Sequence, residues 1–393
     1  MIDKRPLLSI VVPTKDRYEY LSFLVDIFIS VSDIRMEMII QDNSDIQSKL
    51  FLEKIDSLNE ERIKYYYFSD KLSVVENCDK AILNSSGEYV SMIGDDDSFT
   101  KHIIPCVEMM KKYSIDAVIP SFIFYKWPDY IRDKENTASS LQFGDIKGEF
   151  SREVKIIDPQ KELFKLMKKG FINRGGLPLV YHGIVKRTTL DEIYEIGNTF
   201  FPGPSPDIAN GVALSFFVKR FANIDFPIII SGASARHGGD INKLKDRVAR
   251  IEDVPFLSKN VKLEWESNIP KVWTGETIWP ESAIKALRYL GKDYLIRKVN
   301  FKFLQAQFII NHYKYRKYAY KITDNKIKLF LYTVFVFIRR IFGAIYRRIK
   351  KMIFGIPYLN TFTVLNLEDT IKVNNFLLEK NPIFEFKFKN KIE

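Results

Sequence analysis

Short apolar runs and helically spaced apolar positions alternate along the first 120 residues. Residues 7–12 (LLSIVV) form a continuous apolar run between Pro6 and Pro13, the pattern of a strand buried on both faces. Residues 18–29 carry Tyr20, Leu21, Leu24, Val25 and Phe28 at helical spacing. Residues 36–40 read as a second strand, closed by turn-forming Asp42, Asn43, Ser44 and Asp45. A helix over 46–58, a strand over 63–68, a helix over 74–83 and a strand over 89–93 follow. A helix over 100–113 and a strand over 117–119 complete the series. The alternation predicts an α/β fold with a doubly wound, mainly parallel sheet.

Beyond residue 120 the pattern loosens. An aromatic-rich segment, IFYKWPDY, precedes a polar, loop-like 132–140, and 159–169 has helical spacing of Leu163, Phe164, Leu166 and Met167. A loop rich in glycine and proline, FFPGPSP, delivers Asp207 to a helix expected to run to about 220. Residues 226–230 read as a strand running into SGASARHGGD, and after Pro280 the pattern is helical. Residues 329–338 (LFLYTVFVFI) are uncharged, but ten residues fall short of the ~20 needed to cross a bilayer. Ile338, Ile341, Phe342, Ile345, Ile349, Met352 and Ile353 then share one helical face, with Arg339, Arg340, Arg347, Arg348, Lys350 and Lys351 largely on the other. That is the pattern of an interfacial helix drawn to anionic lipid. Its competitors are a helix packed on the domain, and a nucleic-acid contact for which no recognised module is present.

Charge sharpens this division. The chain is 393 residues long with a net charge of +11, yet 297–351 alone carries fifteen Lys or Arg against Asp324, or +14. The remainder is therefore mildly acidic, and the basic character belongs to one segment with an anionic surface as its expected partner. Hydrophobic content of 46% suits a buried core. Cys78 and Cys106 make neither a metal spacing nor a disulfide framework, which fits a reducing compartment. The N-terminal apolar stretch stops at Pro13 with no small-residue cleavage site, so no signal peptide is expected.

The chemistry concentrates at 87–97, GEYVSMIGDDD, an apolar strand ending in glycine and three aspartates. Three adjacent carboxylates repel unless a cation sits among them, and a divalent metal is the usual answer. The carboxyl edge of an open α/β sheet is where ligands bind. PTKDR at 13–17, DNSD at 42–45 and NCDKAILNSSGEYVSMIGDDD from Asn77, in this order, resemble the N-terminal half of family-2 glycosyltransferases of the GT-A fold.

The resemblance implies a nucleotide-diphospho-sugar donor, with a UDP-sugar favoured. Donor contacts fall to Pro13, Thr14, Arg17, Asp42, Asn77 and Asp95. Pro13 and Thr14 end the first strand where backbone can approach a nucleotide. Asp42 would accept a base N–H, against the alternative of an Asx turn. Arg17 would meet phosphate or remain a surface residue at a helix start. Aligning GEY puts Gly94 where relatives place the first aspartate of Asp-x-Asp-Asp, so Asp96 becomes the direct metal ligand and Asp95 faces donor sugar or ribose. Asp97 would orient a water or a neighbour; alternatively Asp95 and Asp97 are the metal pair. The metal set implied is Asp96, Asp97 and His237, holding Mn2+ or Mg2+, with Arg236 an alternative diphosphate contact.

Asn173 to Arg187 resembles the family's strand beneath the acceptor, and His182 within it reads as a structural hydrogen-bonder. Asp207 has two readings, a helix N-terminal acid and the family's catalytic base. The resemblance therefore implies an inverting, metal-dependent glycosyltransferase acting on a glycan or polyprenyl-linked acceptor. It would work in the cytoplasm at the inner face of the cell membrane, without nucleic acid. Expected regions are a nucleotide-sugar half (1–120), an acceptor half (121–280) and a basic helical region (281–393). A sugar-phosphate nucleotidyltransferase would need glycine after the first strand, which PTKDRYEY lacks. A binding-only scaffold would not need Asp42, the aspartates and Asp207 together.

Overall fold

The computed structural model describes residues 5–127, 129, 139–143, 151–235, 248–254, 257, 259–354, 361–364 and 387–388. The first half alternates as the pattern requires: β1 (Leu8–Thr14), α1 (Tyr18–Ser30), β2 (Met36–Asp42), α2 (Lys49–Leu58), β3 (Ile63–Tyr67), α3 (Val74–Leu83) and β4 (Tyr89–Met92). β5 (Ser98–Phe99), α4 (Ile103–Lys112) and β6 (Ala117–Lys126) follow. Strands β4, β1, β2 and β3 are parallel neighbours in that order. Register pairs Thr14 with Asp42, and Val11 with Met92. The carboxyl ends of β1, β2 and β4 therefore share one edge.

The continuous apolar run of β1 has a packing reason. Leu8, Ile10 and Val12 join the core with Leu21, Leu24 and Phe28 of α1, while Val11 faces Ala81 and Ile82 of α3 on the other side. The start of α3 is fixed locally, where Ser73 and Glu76 form a capping box.

The following segment continues the same sheet. β7 (Ser139–Phe143), β8 (Glu153–Ile157), α5 (Pro159–Met167), β9 (Ile184–Lys186), α6 (Arg187–Gly197), α7 (Pro206–Phe217) and β10 (Phe221–Ala233) come in turn. Strand β9 runs antiparallel between β4 and β6, and β10 pairs parallel with β6. The boundary expected at residue 120 falls inside β6, so the halves share one sheet. The strand expected over 173–187 is mostly loop, because Gly175 and His182 adopt positive φ (56° and 60°), which interrupts extended pairing. Only a bridge between Met92 and Tyr181 precedes β9 there.

Helices α8 (Lys259–Leu263), α9 (Gly275–Tyr289), α10 (Phe301–Asn311), α11 (Lys317–Ile322) and α12 (Lys326–Phe354) complete the C-terminal region, with β11 (Thr361–Val364) and β12 (Lys387–Phe388) added to the sheet. The uncharged ten-residue run does not stand alone, as its length implied. It belongs to the 29-residue α12, whose Lys326–Ile349 stretch is by length and composition long and apolar enough to cross a bilayer.

Candidate active site

The GDDD turn closes on itself. Asp97 N donates to Gly94 O at 3.2 Å, and Gly94 N donates back to Asp97 Oδ2 at 2.7 Å. A Cβ on Gly94 would stand 3.0 Å from Asp97 Oδ2 and 3.1 Å from Asp96 Oδ1. A side chain there would press on the carboxylates of Asp96 and Asp97. Next, β5 pairs antiparallel with β10, which ties the turn to that later strand.

All three aspartates are buried. Asp97 Oδ2 also meets His182 Nε2 at 2.6 Å and accepts from Tyr181 Oη at 3.1 Å, while Oδ1 accepts from Gly232 N at 2.8 Å. Burial alone would raise its pKa, but His182 and the two backbone donors hold it below the usual carboxylate range. Asp96 Oδ2 accepts from Arg17 Nη2 at 2.6 Å and from Ser234 Oγ at 2.7 Å. Asp95 Oδ2 accepts from Thr14 Oγ1 at 2.6 Å, and its Oδ1 lies 3.0 Å from Arg17 Nη1. Burial pushes Asp95 up to about 7, opposed by Arg17 and reinforced by Asp96.

The cation among the carboxylates is thus the Arg17 guanidinium, forked between Asp95 and Asp96. Its own desolvation is outweighed by those two charges, so it is held firmly protonated. The oxygen chemistry of the cluster suits a hard divalent ion. Its arrangement does not: among the described residues no three His, Cys, Asp or Glu converge to hold one. Asp97 already serves four donors, and Arg17 occupies Asp96. His237 and Arg236 lie outside the described residues.

Asp42 is buried, accepting from Tyr18 Oη and Tyr65 Oη at 2.5 Å each and from Ser44 N at 2.8 Å. The last bond is the Asx turn. A base N–H would therefore share an engaged carboxylate. Asn77 Nδ2 donates to Thr14 O at 3.3 Å, tying α3 to the end of β1. Pro13 pairs with Gln41 inside the sheet.

Asp207 stands in the first turn of α7, behind Pro206, where it complements the helix dipole. Its side chain is 27% exposed and Oδ2 lies 3.3 Å from Arg174 Nη1. Asn210, one turn on, accepts from Val180 N and donates to Phe200 O. These bonds lock α7 beside the loop carrying Tyr181. Tyr181 stacks on His182 at 4.0 Å, and Asp97, Asp207 and Asp96 all reinforce the upward shift that burial imposes on its phenol. Tyr181 thus bonds the aspartate turn directly, from a loop tied to the helix that begins with Asp207.

Sequence reading alone missed several members. Tyr181, Ser234 and Arg174 carried no motif, and Arg17 was read as facing phosphate or solvent. A charge-balance argument could have found Arg17, since three buried carboxylates require a cation and PTKDR ends at the same sheet edge.

Many α/β enzymes bind ligands at the carboxyl edge of such a sheet, so the sheet and its acidic cluster alone admit several reaction classes. Residues 9–173 match the family described as Glycosyl transferase family 2, and the chain carries a family-2 glycosyltransferase domain, which makes it a glycosyltransferase of the GT-A fold. A comparison with curated proteins finds no match. Among solved structures, S. aureus TarS 1-349 in complex with UDP-GlcNAc is 11% identical, with a TM-score of 0.45, covering 79% of this chain and 88% of that one. S. aureus TarS 1-349 in complex with UDP is 12% identical, with a TM-score of 0.44, covering 79% and 90%.

Proposed function

We propose that the chain transfers a sugar, with inversion, from a nucleotide-diphospho-sugar to a hydroxyl of a glycan acceptor, Asp207 acting as general base. The observation that carries this reading is Asp207, partly exposed in the first turn of α7, a helix that Asn210 ties to the loop whose Tyr181 bonds Asp97 at the sheet edge. Asp207 takes the proton from the acceptor hydroxyl as its oxygen attacks the anomeric carbon. The bond to the diphosphate breaks with its electron pair, and the leaving nucleoside diphosphate meets the positive charge of Arg17. A single displacement inverts the anomer, so no carboxylate nucleophile is needed.

The family match supports the donor class, and a UDP-sugar is the favoured member. Thr14, Asn77, Asp42 and Asp95 would line its nucleotide and ribose. Glycosyltransferases of this fold typically use a divalent ion, Mn2+ or Mg2+, which supplies neutralisation of the leaving diphosphate when bound. In this chain Asp96 is the carboxylate that would meet it, and only after Arg17 releases that side chain. The acceptor favoured is a lipid-linked glycan at an anionic membrane surface, because the basic charge is confined to α12 and its neighbours.

The test is a panel of nucleotide sugars, with and without Mn2+, screened for thermal stabilisation and then for transfer by Asp207→Asn. Selective stabilisation by one diphospho-sugar, retained in a variant that no longer transfers, is expected. Near-normal turnover by Asp207→Asn would remove the base assignment.

A further inference from the structure

One face of α12 is bolted to the domain and the opposite face is not covered by any described residue. Leu329 and Val336, seven residues apart, are buried in a cluster with Phe303, Ala306, Phe308 and Ile309 of α10. Asn300 Nδ2 donates to Tyr332 Oη at 3.0 Å, and Arg340 Nη1 donates to Asn311 Oδ1 at 2.6 Å. These residues recur at i, i+3, i+7 and i+11, a single stripe. At about 100° per residue, the apolar side chains of the other side centre opposite that stripe and cover roughly half the circumference. Phe330, Val334, Phe342, Ile345 and Met352 are among them, between 40% and 84% exposed. Past Arg340 the helix runs on for about 20 Å at its ordinary rise, with its side chains to Ile349 exposed or half-buried.

The charge pattern decides what covers this face. Residues 326–354 hold eight Lys or Arg and no Asp or Glu. Lys328, Arg339 and Arg348 sit at the margins of the apolar arc, and Arg340 and Arg347 on the domain side. A second copy docked face to face would bring cationic margins together without any acid on the helix to answer them. A bilayer with anionic headgroups answers the charge and the apolar arc at once. Crossing the bilayer is a different matter. It would strip Leu329 and Val336 from α10 and sink Arg339 and Arg340 into hydrocarbon near the middle of the span.

We infer that α12 lies along the surface of an anionic bilayer, not across it, with α10 holding the catalytic domain on its opposite side. This deepens the membrane part of the proposed function and rests on it. The full chain is mixed with vesicles of zwitterionic lipid alone or with anionic lipid added, and floated. Co-flotation only with anionic vesicles is expected. A Lys328→Gln, Arg339→Gln, Arg348→Gln variant should lose on the order of 100-fold in partitioning, about fivefold per charge.

Depth separates lying from crossing. Single variants Phe330→Cys, Phe342→Cys and Met352→Cys take a polarity-sensitive label, which the buried Cys78 and Cys106 leave selective. Residues 330 and 352 are about 33 Å apart along the helix. Equal, shallow depths by lipid-borne quenchers support the inference. Depths that span the bilayer overturn it while keeping membrane attachment. Absence from anionic vesicles overturns both, as does a stable dimer that shields the labels without lipid. Donor stabilisation by nucleotide sugars is read independently of either result.

Discussion

The aspartate turn and the start of α7 are both acidic, and they treat their charge in opposite ways. Asp97 is 1% exposed and surrounded by donors from Gly94, Tyr181, His182 and Gly232. Asp207 is 27% exposed, faces a single arginine at 3.3 Å, and keeps access to solvent. A carboxylate with all its lone pairs taken can hold a structure but has little left to accept a substrate proton. One with an open oxygen can do so. Under the proposed mechanism, the first region would serve as architecture and the second as the site of proton transfer.

The comparison breaks most directly at Asp207. Asp207→Asn should lower kcat by about 10²- to 10⁴-fold while donor affinity, read by calorimetry, changes less than threefold. Equal losses in both would mean that Asp207 holds the donor instead. Asp97→Ala should leave buried donors and a buried His182 without their acceptor, costing about 3–5 kcal/mol in urea unfolding. A loss of activity at unchanged stability would move Asp97 to the working side of the comparison.

Glu281 supplies the case of burial without enough donors. It is fully buried in α9, accepts from Glu266 N at 2.9 Å, and burial raises it to about 7 against 4.5 unfolded. The folded state therefore holds its proton more tightly. Stability from this group is complete below pH 4.5 and is lost as pH rises through 7, by on the order of 2 kcal/mol. Glu281→Gln should flatten that part of the profile and raise the Tm at pH 8, with little change at pH 4. The smallest effect is expected at Arg17. Arg17→Met removes the cation from Asp95 and Asp96, and should tighten Mn2+ binding roughly tenfold by calorimetry, or ~1.4 kcal/mol. Unchanged Mn2+ affinity would show that Arg17 does not compete for that position.

Much of the first half was legible because period and burial agree there. The run of β1, the spacing of α1 and the polar stops after β2 and β4 are each local signals, and α3 begins and ends where its pattern does. What the sequence hid is non-local. The loop of Tyr181 and His182 is expected as a strand from its resemblance to the family's, and no local pattern signals the left-handed backbone at His182. Arg17 and Asp96 meet from 79 residues apart, and Ser234 reaches Asp96 from 138. Periodicity cannot report such pairs. The length of α12 was hidden differently: charges at Arg339 and Arg340 interrupt its apolar run without interrupting its backbone hydrogen bonds.

Gly232 shows what that separation means for the life of the chain. A Cβ there would fall 1.7 Å from Asp96 O, so β10 and the acidic turn touch backbone to backbone. Gly232 N reaches Asp97 across 135 residues of sequence. At ribosomal speed those residues take on the order of ten seconds to appear. Until then the turn emerges with its carboxylates unclamped, beside a nascent sheet that already has its first four strands. The acidic edge is thus completed only once β10 has been made, and a fragment ending at residue 173 would carry the aspartates without Tyr181, His182, Gly232 and Ser234.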